Sequence, residues 1–209
     1  KLSNVADVTA NDFVFAWSEL INPENASEYA SFGMVFKNAQ AYWDYKSGES
    51  ETEVTLDEVG FKAIDDYTLE YTLEAPFPAF LSMMGYACFA PLNYDFYKSQ
   101  GGTFSAEGDE YTPGDYGIDP DHIVYCGPYL VTGWTQENSI FYQANPTYWN
   151  AGEVTLQKIN WLYDDGTDPK KAYDDFWAGN VDGVALSANR LKIAQEDGTF
   201  EELTHISGT

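Results

Sequence analysis

The chain has 209 residues, 44% of them hydrophobic, which is enough for one large or two small domains with a packed core. Its 34 acidic and 10 basic side chains give a formal net charge of −24 at pH 7, and this charge repels nucleic acids and anionic membrane surfaces. Aromatic residues make up 17% of the chain, far more than disordered segments carry. The composition therefore predicts a folded, acidic protein that has no nucleic-acid partner.

Two helices are predicted in the first quarter of the chain. The first begins after Thr9, which lies three residues before Asp12 in the spacing of a capping box, and it ends at Ile21, before an Asn-Pro pair. Trp17 lies on the apolar face of this helix. The second helix is predicted from Met34 to Lys46, because apolar residues recur there at helical spacing.

A β-hairpin and a short helix are predicted next. From Val59 to Leu73, apolar residues alternate with polar ones on either side of an Asp-Asp pair, which predicts two paired strands with one buried face. Two prolines then open a short helix from Ala79 to Met84. Residues 99–121 combine glycine, proline and acidic residues without an apolar period, which predicts a long surface loop at a domain boundary.

The remainder of the chain is predicted to contain both strands and helices. Strands are predicted at Tyr125–Trp134, Ser139–Ala144, Leu156–Tyr163, Val181–Leu186 and Leu203–Ile206. One helix is predicted from Pro169 to Ala178, ended by Gly179, and another after the capping residue Ser187. Together, these elements predict a mixed α/β (α+β) fold.

The sequence contains none of the common motifs of enzymatic chemistry. GxSxG, HExxH, Walker A and GxGxxG are all absent, so neither an enzyme nor a cofactor is expected. The acidic loop with Asp109, Glu110 and Asp115 lacks the spacing of an EF-hand, and His122 and His205 lack the spacing of zinc ligands. No metal site is therefore expected.

Cys88 and Cys126 are the two cysteines of the chain. They form either one disulfide or two buried thiols, and the sequence leaves both alternatives open. A disulfide would close a loop of about 40 residues and stabilise the fold by ~3 to 4 kcal/mol on the chain-entropy model. Strong acidity together with few thiols favours an extracellular or cell-envelope location.

Most of the tryptophans are predicted to lie in the core. Trp17, Trp43 and Trp177 fall on apolar faces of predicted helices, and Trp149 and Trp161 lie in or beside predicted strands. A platform that stacks against a sugar or a peptide would need at least one exposed tryptophan.

Several segments resemble, in the same order, motifs of one protein family. They are Lys1 to Phe13, Phe15 to Trp17 with Asn22 to Ser31, Asn38-Ala39, Gly60 to Leu69, Ala75 to Leu81, Gly127-Pro128-Tyr129, Asn145 to Trp149, and Gly179 to Asp182. This ordered set resembles the extracellular solute-binding proteins of family 5, the oligopeptide-binding proteins of ABC importers. Val5 departs from the pattern, because family members usually have a glycine turn there.

The resemblance implies a fold and a division into domains. It implies part of a type II (class C) periplasmic-binding-protein-like fold, with the family's small extra domain at residues 1–121 and part of lobe one at residues 122–209. Family members are more than twice as long, so the chain is expected to be an internal portion that lacks the second lobe. The motif residues expected to have structural roles are Thr9, Asp12, Trp17, Gly127, Pro128, Tyr129, Asn145, Pro146, Tyr148, Trp149, Gly179 and Asp182.

The resemblance also implies a function, namely extracellular capture of oligopeptides between two lobes and delivery to the ABC permease subunits by a lipid-anchored protein. Tyr29, Leu186, Ser187 and Asn189 are expected to face the ligand cleft. This portion alone is expected to bind peptide weakly or not at all, and to self-associate through the exposed core of lobe one. The alternative is a carbohydrate-binding or glycan-processing extracellular domain, which requires an exposed pair of tryptophans.

Overall fold

The computed structural model describes residues 1–103, 111–168, 170–186, 188–196 and 198, without the side chains of residues 188 and 189. The chain divides into two compact units, one formed by residues 1–134 and 141–159 and the other by residues 135–140 and the chain from residue 160 onward. No helix within the described ranges has the length and apolar character that a membrane crossing requires.

The described elements confirm a mixed α/β fold. The helices are α1 (Ala10–Leu20), α2 (Ala30–Gly33), α3 (Ala39–Lys46), α4 (Phe80–Met83), α5 (Tyr94–Ser99), α6 (Lys171–Trp177) and α7 (Ala188–Glu196). The strands are β1 (Phe61–Asp65), β2 (Thr68–Tyr71), β3 (Tyr129–Thr135), β4 (Ser139–Ala144) and β5 (Lys158–Leu162). Strands β1 and β2 form one sheet, and the second sheet has the order β3-β4-β5.

Helix α1 begins and packs as its sequence predicts. The backbone N–H of Thr9 donates to Asp12 Oδ2 at 2.7 Å, which is one half of a capping box. Trp17 is fully buried, its ring stacks on Phe36 at 4.8 Å, and its indole N–H donates to the carbonyl of Phe89 at 3.1 Å. Helix α1 therefore organises the core of the first unit.

That core is dominated by aromatic side chains from distant parts of the chain. Its buried members are Ala16, Trp17, Leu20, Ile21, Phe36, Ala39, Tyr42, Val59, Phe61, Phe80, Met83 and Phe89.

The helix predicted from Met34 to Lys46 is wrong in its first part, because α3 begins only at Ala39. Before it, Phe36 forms an antiparallel bridge with Leu73, so the backbone there belongs to the edge of the hairpin. Asn38 then has a left-handed backbone with φ of +61°, which breaks the helical path. Tertiary pairing thus overrides the helical spacing of the side chains.

The β1–β2 hairpin is confirmed, with Phe61 opposite Tyr71 and Ala63 opposite Leu69. Gly60 lies where the hairpin passes residues 36–38, and its backbone bonds to both the Lys37 carbonyl and the Thr72 N–H. A Cβ at this position would lie 2.2 Å from the Thr72 carbonyl oxygen, so the close approach of these backbones requires glycine.

In the last third of the chain, β3, β4, β5, α6 and α7 are confirmed. Gly179 ends α6 with φ of +73°, a left-handed conformation that glycine adopts without strain. The strand predicted at Val181–Leu186 is wrong: this stretch has no regular structure, because no described strand pairs with its backbone. The capping residue Ser187 and the strand predicted at 203–206 lie outside the described residues.

The start of the chain is bonded to residues that follow residue 121. The backbone N–H of Ser3 donates to the Tyr125 carbonyl at 2.7 Å, and the Tyr125 N–H donates back to Ser3 Oγ at 3.0 Å. These bonds tie the start of the chain to residues beyond the expected boundary.

Burial of the tryptophans was predicted from their spacing, and three of the five predictions are wrong. The exposed fraction is 80% for Trp149, 66% for Trp161 and 53% for Trp177. In α6, Tyr173 is the buried residue and Trp177 packs edge-on against it, because a helix of two turns gives too few positions to fix which face is inward.

Cys88 and Cys126 are both free thiols in the structure, and both are half-buried. The structure therefore contains the second of the two alternatives that the sequence leaves open. Burial raises the pKa of the Cys88 thiol, which lowers its reactivity toward oxidants.

Candidate functional site

The first unit carries a row of three aromatic rings whose two ends are open to solvent. The ring of Tyr29 stacks on Phe32 at 5.9 Å with an interplanar angle of 16°, and Phe32 lies 5.4 Å from Tyr86 at 40°. The exposed fractions are 52% for Tyr29 and 55% for Tyr86. We call this set the Tyr29 row.

Local sequence places Tyr29 at this surface. After α1, the side chain of Asn22 accepts a hydrogen bond from the Glu24 N–H and starts a 3-10 turn at Pro23–Asn25. Ala26 follows in a left-handed conformation with φ of +50°, and the chain then turns into α2 just after Tyr29. Phe32, one turn further, packs against the core and supports the exposed ring.

The Tyr29 row has the chemistry of a binding surface rather than of a catalytic centre. Exposed tyrosine rings offer a flat apolar face and a hydroxyl group at the same position. Such a surface accepts an aromatic, aliphatic or proline side chain of a ligand and hydrogen-bonds to its polar atoms. No group of three His, Cys, Asp or Glu side chains that could hold a metal ion occurs in the described part of the chain.

The other expected cleft residues belong to the second unit. Leu186 is half-buried and lies in the irregular stretch before α7. The backbone of Asn189 lies in the first turn of α7, its side chain is not described, and Ser187 lies outside the described residues. Tyr29 belongs to the first unit.

Arg190 holds the stretch around Leu186 and was missed by the sequence analysis. Its guanidinium forms an ion pair with Asp164 and donates to the carbonyl of Ala185 at 3.3 Å. Both side chains of the pair are largely buried, which strengthens the bond relative to a surface pair. One signal was present in the sequence, because Arg190 is the single arginine of a chain rich in carboxylates.

Two of the motifs that carry the family resemblance, Gly127-Pro128-Tyr129 and Asn145 to Trp149, are hydrogen-bonded to each other. Asn145 is almost fully buried, and its Nδ2 donates to the Gly127 carbonyl at 2.8 Å while its backbone N–H donates to the Pro128 carbonyl at 2.8 Å. Its Oδ1 accepts from the backbone N–H of Thr147 at 3.0 Å and from Thr147 Oγ1 at 2.7 Å. This geometry gives both motifs a structural role and leaves Trp149, at the end of the turn, exposed.

The motif at the start of α1 also joins elements. Asp12 Oδ1 accepts from Asn93 Nδ2 at 3.0 Å, and its backbone carbonyl accepts from the Leu92 N–H at 3.1 Å, so α1 is bonded to the segment that leads into α5. An open cleft of about 620 Å³ lies beside these residues, lined among others by Asp7, Asn11 and Tyr94. Three protein donors bond to the carboxylate of Asp12, namely the Thr9 N–H, the Thr9 hydroxyl and the Asn93 amide.

His122 is bonded within its own turn. Its Nδ1 lies 2.7 Å from Asp119 Oδ1, and this hydrogen bond raises the pKa of the imidazole. Asp119 also accepts from the backbone N–H groups of residues 121 and 122, which is a capping arrangement. Asp119 is thus the capping residue of this turn and His122 is bonded to it, whereas His205 lies outside the described residues.

Comparison with known proteins identifies the family. Residues 1–206 match the family described as bacterial extracellular solute-binding proteins, family 5 Middle. The chain belongs to this family. Among curated relatives, the oligopeptide-binding protein AmiA of Streptococcus pneumoniae is 34% identical over 194 residues, which cover 91% of this chain and 27% of AmiA.

Solved structures of similar proteins have the same fold. The substrate-binding domain of an oligopeptide ABC transporter from Bacillus anthracis is 33% identical with a TM-score of 0.76, over 94% of this chain and 34% of that chain. OppA of Listeria monocytogenes bound to peptide is 29% identical with a TM-score of 0.76, over 94% of this chain and 35% of that chain. The chain therefore spans about a quarter to a third of the length of these family 5 proteins.

Proposed function

We propose that this chain is one part of the substrate-binding component of an ABC importer, which captures oligopeptides outside the cell and delivers them to the membrane permease. The observation that supports this most is membership of family 5 together with similarity to peptide-binding relatives. The Tyr29 row supports it further, because a supported pair of exposed tyrosines suits peptide side chains.

In this proposal the peptide is held between two lobes that close on it. Residues 1–121 correspond to the small extra domain and residues 122–209 to part of lobe one, and Tyr29, Leu186, Ser187 and Asn189 are the residues proposed to contact the ligand. Since the chain spans at most about a third of its relatives, it supplies only part of the walls. The isolated 209 residues therefore bind peptide weakly or not at all.

In this proposal the protein is a carrier that has neither catalytic activity nor a cofactor. It acts at the cell envelope, where a lipid anchor keeps it near the permease. Peptide binding brings it to the permease subunits, which are its protein partners.

The test is calorimetric titration of a defined peptide mixture into the longest natural chain that contains these residues. The variant Tyr29→Ala removes one end of the Tyr29 row, and we expect peptide affinity to fall about tenfold or more. Tyr67→Ala is the matched control, since Tyr67 is a more exposed tyrosine at the tip of the hairpin, and its affinity should equal that of the wild type.

Two results would count against the proposal. Equal peptide affinity in the wild type and in Tyr29→Ala would remove the Tyr29 row from the site. Micromolar binding by the isolated 209 residues would show that the cleft is already complete in this chain.

The carbohydrate alternative gains one observation, because Trp149, Trp161 and Trp177 are exposed. The rings next to them are tilted, with Trp149 at 59° to Tyr148 and Trp177 at 76° to Phe176, so these pairs form no coplanar platform. Quenching of tryptophan fluorescence by oligosaccharides, with no response to peptides, would favour this alternative.

A further inference from the structure

A buried carboxyl group lies near the C-terminal end of α1. Glu19 is only 4% exposed, and its Oε1 has no hydrogen-bond partner among the described residues. Beside it, Asn22 is fully buried and its Nδ2 also lacks a partner in the described structure. Unpartnered buried polar atoms are rare and costly, so the pair calls for a functional or structural explanation.

The surroundings of Glu19 favour the neutral acid. Burial raises its pKa to about 7, against a smaller lowering by the Asn22 amide, and the nearby Glu24 adds a further rise. The other titratable groups that face it are two tyrosines, Tyr97 from α5 and Tyr111, whose pKa values are raised by burial and then by the Glu19 charge. Among the described residues, no basic group is a cause of the Glu19 shift.

The segment Tyr111–Tyr116 is docked on the groups around this carboxyl. Tyr111 Oη donates to Asn25 Oδ1 at 2.6 Å, and Asn25 Nδ2 donates to the backbone carbonyl of Glu19 at 3.0 Å. Tyr97 Oη donates to the carbonyl of residue 112 at 3.1 Å, and the rings of Tyr97 and Tyr116 lie 5.5 Å apart.

We propose that Glu19 is a proton-controlled latch, which keeps the segment Tyr111–Tyr116 docked while the carboxyl is neutral and loosens it when the carboxyl ionises. An ionised Glu19 is a buried charge without a counter-ion among the described residues, and it is hydrated only if the groups packed around it open. The segment Tyr111–Tyr116 is bonded to two of these groups, Asn25 and Tyr97, so opening of the site loosens the segment. This device does not depend on the proposed function, because it concerns the stability of one segment whatever the ligand is.

The sign of the pH effect follows from proton binding. The closed state holds its proton up to about pH 7, whereas an open, hydrated Glu19 releases it near the ordinary value of 4.5. The closed state therefore binds more protons between these values, and its stability falls as pH rises through this window. The latch is closed in mild acid and loosened above neutrality.

The test is hydrogen–deuterium exchange of the folded protein at about pH 5.5 and about pH 8.5, corrected for the intrinsic exchange rate. The Glu19 pKa is about 7 in the closed state and near 4.5 in the open state. Between the two pH values, this difference lets the protection of the segment Tyr111–Tyr116 fall by up to roughly 30-fold. We expect a fall of about tenfold or more in the wild type, and none in Glu19→Gln, which stays neutral at both pH values. Glu24→Gln is the matched control, and in this variant the protection of the segment should still fall with pH nearly as much as in the wild type.

Two outcomes would overturn the proposal. One is equal protection of the segment at both pH values in the wild type, and the other is the same fall in Glu19→Gln as in the wild type. If Glu19→Gln does not fold, a carbon-13 titration of labelled glutamate in the wild type decides: a carboxyl that titrates near pH 7 supports the latch, and ordinary titration of every glutamate overturns it.

Discussion

Val5 has a backbone conformation that β-branched residues rarely adopt. Its φ is +64° in the tight turn where the N–H of Val5 donates to the Leu2 carbonyl. Family resemblance places a glycine at this turn, and glycine is free of the steric conflict between Cβ and the carbonyl oxygen. The chain therefore adopts this turn although valine is unfavourable at a positive φ.

We expect Val5→Gly to raise the free energy of unfolding by about 1 kcal/mol, since relief of strain outweighs the added freedom of the unfolded chain. Urea denaturation at fixed pH measures this difference. Val5→Ala keeps a Cβ at the same positive φ but lacks the β-branch, so it should gain less than glycine. A glycine variant less stable than the wild type would show that the turn is not strained.

The residues of the candidate site differ in how far sequence could reveal them. Tyr29 was found through its motif, but its partner Tyr86 comes from a distant part of the chain, and no local pattern links the two. The Arg190–Asp164 pair is of the same kind, since its members are 26 positions apart. Such pairings follow from tertiary packing, which single-sequence patterns do not contain.

The turn that begins at Asn145 joins the Gly127-Pro128-Tyr129 motif to the motif from Asn145 to Trp149, and the Asn145 side chain makes bonds to both. We expect Asn145→Ala to lower the free energy of unfolding by roughly 2 to 3 kcal/mol, because it removes the hydrogen bonds of this buried side chain to the half-buried Gly127 carbonyl and from the Thr147 N–H. Thr147→Ala loses only the hydroxyl bond to Asn145 and should cost about 1 kcal/mol. Thermal and urea denaturation of both variants provide the comparison.

One result would contradict the expectation for Asn145. If Asn145→Ala and Thr147→Ala were equally destabilising, the bond to Gly127 would add nothing, and the two motifs would be held together by other contacts.

Elements with local signals were predicted well, and elements set by distant partners were not. Helix α1 carries its own capping box and apolar face, and the β1–β2 hairpin carries an alternating pattern, so sequence alone was sufficient. The stretch before α3 has helical spacing, but Phe36 pairs with Leu73 instead. The stretch 181–186 has the residues of a strand but no described neighbour to pair with.

At the scale of the whole molecule, strong negative charge and exposed aromatic surface act in opposite directions. The net charge of −24 keeps copies of the chain apart at low salt, and salt screens this repulsion over about 10 Å at 0.1 M. Exposed rings such as Trp149, Trp161 and Trp177 favour contact once the repulsion is screened.

We therefore expect the chain to be monomeric near 0.02 M salt, where the screening length is about 22 Å, and to self-associate near 0.5 M, where it is about 4 Å. Sedimentation velocity measures the difference. Trp149→Ser should weaken the association, because Trp149 is the most exposed tryptophan among those described. Gln136→Ser, at an exposed polar position, is the control and should leave it unchanged. Sedimentation as a monomer at both salt concentrations would contradict the expectation.

The hydrogen bond from the Trp17 indole to the Phe89 carbonyl has a consequence for synthesis of the chain. Its two partners are 72 residues apart, and the same core includes side chains from α1, the hairpin and α4. When only α1 and the hairpin have emerged from the ribosome, the apolar face of α1 is exposed to solvent. The first unit therefore cannot close its core until Phe89 has emerged from the exit tunnel, and the nascent chain remains open to chaperones and proteases until then.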